Sequence, residues 1–156
     1  MASTEANLWP TLAVFSLVYL LVSGVVAAFL VYFDVDSNTG LSVAILVAAT
    51  AAAAQKFVAG HGRAMQRAEQ LKFALLATAA TMLLAPVQVA AILPIYFTSA
   101  ELSQLAAETQ AWIAANLGLV AFTAAFVVGI FFAVLYFASG GFSRMFAKRL
   151  NATGKI

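Results

Sequence analysis

The chain has 156 residues, 64% of them hydrophobic and 9% charged, and its mean hydropathy is +0.99. Soluble domains carry about 25% charged residues, so this composition excludes a water-soluble globular domain and indicates an integral membrane protein. A net charge of +2 says little without position, but the lack of cysteine excludes disulfides, thiolate metal sites and thiol catalysis.

Residues 1–10 form a polar lead in which Ser3 or Thr4 with Glu5 suits a capped turn and Trp9 suits an interfacial anchor. No Lys or Arg precedes the apolar run Thr11–Phe33, and that run is too long for the core of a cleaved signal peptide. As a helix it reaches roughly 34 Å, enough to cross a bilayer with some tilt. Residues 34–40 read as an acidic turn. Asp34 and Asp36 lack the twelve-residue spacing and closing Glu of a calcium loop. The second span, Leu41–Ala59, is built on alanine, which allows close helix packing but offers lipid little apolar surface. Lys56 sits near its end, placed either to snorkel to the interface or to bind a headgroup or acidic partner.

Residues 60–72 form a basic, Gly-broken connection. A third span, Phe73–Phe97, carries Pro86, Gln88 and Pro94. A kink is expected near Pro86, with Gln88 turned toward protein or water, while Pro94 suits the frayed end of the span. Residues 98–110 are polar and acidic, and Leu102, Leu105 and Ala106 have the spacing of a short interfacial helix. The fourth span runs from about Ala111 to Ala138. Within it Ala114, Gly118, Ala121, Ala125, Gly129 and Ala133 recur every three or four residues, a one-sided stripe suited to helix packing. Phe122, Phe126, Phe131 and Phe132 are expected opposite it. Gly140-Gly141 is expected to end the span, and the tail 139–156 reads as a basic amphipathic segment for an anionic leaflet.

Every Lys and Arg falls in two places. Lys56, Arg63, Arg67 and Lys72 flank or lie in the central connection, and Arg144, Lys148, Arg149 and Lys155 lie in the tail. The other two connections hold four of the six acids and no base. Positive residues stay on the side where the chain is made, so four spans with both termini cytoplasmic fit the pattern, in a bacterial inner membrane. Lys56, Arg63, Arg67, Lys72, Arg144, Lys148 and Arg149 are the candidate contacts to anionic headgroups or to a partner.

Little in the sequence suits catalysis, and the chain reads as a non-enzyme without cofactor or metal. No ionisable group falls near the centre of a span, where functional acids and bases are found. His61 is the sole histidine and lacks the companions a metal site needs. Gly60-His61-Gly62-Arg63 lacks the Lys-Ser/Thr that completes a phosphate loop. A small proton-coupled exporter needs an acid in its first span, and Thr11–Phe33 has none.

Ala54-Gln55-Lys56-Phe57, then His61-Gly62-Arg63-Ala64, Glu69 and Leu71-Lys72-Phe73-Ala74 resemble the AciT-like family of small four-span bacterial inner-membrane proteins. The likeness is concentrated in residues 52–74. Met65 and Leu71 stand where that family often has proline and tryptophan. The resemblance implies a role in envelope integrity and supplies no catalytic residues. The residues themselves favour an all-α bundle of four membrane helices, with short interfacial amphipathic segments, acting as an accessory or scaffold subunit. A respiratory or photosynthetic complex is one such assembly. A free-standing envelope protein is the alternative, and a small transporter or channel lining Gln88 is the third reading. The expected partners are the bilayer, another membrane protein or a second copy, and not nucleic acid.

Overall fold

A computed structural model describes residues 6–33 and 39–152, and all its regular structure is helical. The helices are α1 (Trp9–Tyr32), α2 (Thr39–His61), α3 (Arg67–Tyr96), α4 (Ser99–Ala115) and α5 (Leu117–Ala152). α1, α2, α3 and α5 are each long and apolar enough to cross a membrane, the architecture of a multi-pass membrane protein. Ser3, Thr4, Glu5, Asp34, Asp36 and Lys155 lie outside the described residues.

The four long helices form a ring in the order α1, α2, α5, α3, so α1 lies diagonal to α5 and α2 diagonal to α3. Alanine makes this possible. Ala49, Ala53, Ala54, Ala74 and Ala77 are fully buried, and their small side chains let neighbouring backbones close in. Phe15, Phe57, Phe73, Leu46 and Leu135 fill the remaining volume, with the Phe15 and Phe73 rings edge to face at 5.8 Å. This core occupies one end of the bundle, where α1 and α3 begin and α2 and α5 finish. It includes Thr11 and Phe15 of α1, residues 69–81 of α3 and residues 135–143 of α5. The basic connection and the basic tail close that end.

The other end is open, and helix register explains why. α2 and α5 run in the same direction, and Gln55, Val58 and Ala59 share a groove with Phe146, Arg149 and Leu150. Following both helices back at equal rise brings Thr39 level with about residue 130 of α5. Residues 117–130 therefore continue about 20 Å past the start of α2, at about 1.5 Å per residue. α3 is antiparallel to α5, with Gln70 at Gly140 and Met82 near Val127 and Val128, and so it accompanies α5 along this extension. α1 reaches this level too, since Ser23 accepts from Gln88 of α3, but it lies diagonal to α5; α2 does not reach it.

Several boundaries differ from the sequence expectation. α2 continues to His61 and α3 starts at Arg67, so the connection shrinks from residues 60–72 to residues 62–66. Gly62 ends α2 at φ 65°, a left-handed conformation that glycine adopts without strain, and its N–H donates to the Val58 carbonyl at 2.8 Å. Both prolines lie inside α3, which continues to Tyr96. α4 takes residues 111–115 from the expected fourth span. Asn116 separates α4 from α5, its side chain donating to the Trp112 carbonyl at 2.9 Å. Gly140-Gly141 does not end the fourth span. α5 runs through it to Ala152, so residues 139–152 of the basic tail continue the membrane helix.

Candidate functional site

Two surfaces carry the residues singled out by sequence. At the closed end, the short connection is held by a clamp. Arg63 Nη1 and Nη2 donate to Glu69 Oε2 and Oε1 at 2.8 and 2.7 Å, a bidentate pair. Arg63 also donates to the Ala64 carbonyl at 3.1 Å and lies 5.5 Å from the centre of the Phe57 ring. The Gln66 N–H donates to Glu69 Oε2 at 2.7 Å, so one carboxylate both pairs the arginine and caps the first turn of α3. The Glu69 carboxylate raises the guanidinium pKa above its already high ordinary value. Arg63 is thus engaged within the chain, with its side chain still 38% exposed.

Gln70 completes the junction. Its Nε2 donates to the Met65 carbonyl at 2.8 Å, which fixes the amide against α5. A Cβ at Gly140 would meet Gln70 Oε1 at 2.9 Å, so only glycine fits there without a shift. Gln70 was not singled out from sequence, and Gly140 was read only as a terminator. His61 is exposed at the end of α2, stacked on Phe57 at 4.3 Å, with Nδ1 3.0 Å from the Phe57 carbonyl. Among the described residues no three His, Cys, Asp or Glu side chains converge as a metal site would need.

The remaining cations ring this end. Lys56 is exposed on α2, Arg67 and Lys72 on the first turns of α3, and Arg144, Lys148 and Arg149 on α5. Two grooves open between them. One, of about 310 Å³, lies between α2 and α5 and is lined by Gln55, Val58, Ala59, Phe146, Arg149 and Leu150. The other, of about 420 Å³, places Lys72, Leu75 and Leu76 of α3 against Trp9 and its neighbours.

The open end carries the small-residue stripe. Ala114 falls on α4, beyond the break at Asn116, and is exposed. Gly118, Ala121, Ala125 and Gly129 are exposed on α5, and Ala133 is half-buried. A Cβ at Gly118 or Gly129 would meet nothing within 4 Å. Phe122 and Phe126 stack on each other at 6.3 Å and are exposed, whereas Phe131 and Phe132 pack against the core. That correction follows from register, because only residues from about 130 onward have α2 beside them. An apolar groove of about 420 Å³ separates Met82 from Trp112 and residues 119–128. Gln88 does turn toward protein. Its Nε2 donates to Ser23 Oγ at 2.6 Å, tying α3 to α1, and Ser23 Oγ donates to the Tyr19 carbonyl at 2.5 Å. Comparison of the chain with known protein families, with curated proteins and with solved structures finds no match.

Proposed function

We propose that this chain is a non-catalytic subunit of the bacterial inner membrane, with both termini cytoplasmic, that docks a larger membrane assembly through the first half of α5. One observation carries the reading: residues 121–130 are exposed on every side of the helix, because α2, the neighbour on that flank, begins only level with about residue 130. Lipid alone satisfies a helix of large apolar residues. This segment instead presents Gly118, Ala121, Ala125 and Gly129 on one face, where small side chains allow a partner helix to approach closely. The occupant is a transmembrane helix of a partner protein, and the exposed Phe122 and Phe126 flank its seat.

The orientation rests on the distribution of Lys and Arg, all of which fall at the closed end or in the tail. Gln88 is a weak basis for a transport path, since its amide is engaged with Ser23. The experiment is extraction of native membranes in mild detergent, separation on a native gel, and mass spectrometry of the band that holds this chain. Migration with a large complex at fixed stoichiometry is expected. Migration alone sinks the subunit reading and leaves the envelope-integrity role implied by the resemblance to the AciT-like family.

A further inference from the structure

We infer that the groove between the ends of α2 and α5 is a seat for one anionic phospholipid. The inference rests on the proposed orientation only in assigning that lipid to the cytoplasmic leaflet. The exposed pair Gln55-Lys56 interrupts an alanine-rich helix whose neighbours Ala53, Ala54, Phe57 and Val58 are buried, so core packing does not account for it. Gln55 lines the groove, and Lys56 is exposed next to it in the chain. Arg149 lines the facing wall on α5, so the groove carries an amide and a guanidinium from two helices. The floor is apolar, made by Val58, Ala59, Phe146 and Leu150. A charged rim over an apolar trough matches a phosphate headgroup above an acyl chain, and a guanidinium suits phosphate oxygens in particular. The groove also lies near the end of two membrane helices. Gln55 is about 9 Å from the end of α2.

The α5 cations separate a seat from general charge attraction. Arg149 shares a side of the helix with Phe146 and Leu150, whereas Arg144 and Lys148 project from the opposite side. The test is native mass spectrometry of the full chain in mild detergent, titrated with phosphatidylglycerol or with phosphatidylcholine. One retained phosphatidylglycerol per chain is expected, with phosphatidylcholine held more weakly. Arg149→Gln should weaken retention about fivefold. Ala59→Phe, at an exposed position, should abolish it by filling the trough with charge unchanged. Arg144→Gln and Lys148→Gln should leave it unaltered. Equal retention of phosphatidylcholine, no effect of Ala59→Phe, or equal loss from the Arg144 and Lys148 variants overturns the seat. A reporter fused after the C-terminus reads orientation separately. A periplasmic signal overturns the proposed topology and not the groove, which is assayed in detergent.

Discussion

Glu69 does two jobs with one carboxylate, and its substitution separates them. Glu69→Gln removes the ion pair with Arg63 but keeps an oxygen able to cap Gln66, whereas Glu69→Ala removes both. The pair is partly exposed on the arginine side, with side-chain exposures of 38% and 10% for Arg63 and Glu69. Solvent screening therefore holds the loss for Glu69→Gln to about 1 kcal/mol, and loss of the cap adds about 1 kcal/mol more for Glu69→Ala. Unfolding midpoints in detergent should rank wild type, Gln, then Ala; an Ala variant as stable as wild type would remove the clamp from the account. Glu101 offers a pH test at the start of α4. The Thr98 N–H and hydroxyl both donate to its carboxylate at 2.8 Å, and these bonds hold its pKa below the ordinary 4.5. A lowered folded pKa means that the cap contributes fully above pH 4.5 and is lost as pH falls through the folded value. Protection of the first turn of α4 against hydrogen exchange, relative to the intrinsic amide rate at each pH, should fall on acidification through that range. Glu101→Gln should flatten the response.

At the scale of helices, the α3–α5 crossing is set by Gln70 against Gly140. Gly140→Ala forces a pinned amide aside and should destabilise the chain by about 1–3 kcal/mol, as overpacking of a fitted contact does. Gln70→Ala frees that space, so the double variant should recover part of the loss in the same unfolding assay. If the two losses simply add, the side chains do not share that space. The spans themselves were legible from the sequence, because a run such as Thr11–Phe33 has no other physical solution than a membrane helix. Their ends were less so. Gly60 and Gly140-Gly141 read as breaks, yet glycine inside a helix costs only about 1 kcal/mol and packing overrides it. The start of α3 was hidden because its capping acid, Glu69, has an arginine partner on the far side of the turn. Gln88 facing Ser23 was half legible: a buried amide must find a partner, but composition cannot name which helix supplies it.

For the whole molecule, burial is lopsided, and the proposed docking surface follows from that. A Cβ at Gly118 or Gly129 meets nothing within 4 Å in the isolated chain, so Gly118→Leu and Gly129→Leu should change its own stability by less than about 0.5 kcal/mol. Co-migration with a larger assembly should nevertheless be lost. Loss of stability in the isolated variant would mean that this chain packs on its own stripe, and unaltered co-migration would move the partner elsewhere. The small-residue periodicity was readable from sequence, but its availability was not, because exposure depends on where a different helix, α2, begins. The late start of α2 has a mechanical consequence for the bilayer. The two flanks of the molecule present apolar walls that differ in height by about 20 Å, at 1.5 Å per residue. Lipids beside α2 must then thin, or the long helices must tilt, to bring both walls within one hydrocarbon layer. A molecule shaped in this way perturbs its surroundings on one side only, and it would partition toward thinner membrane and toward neighbours that relieve the step.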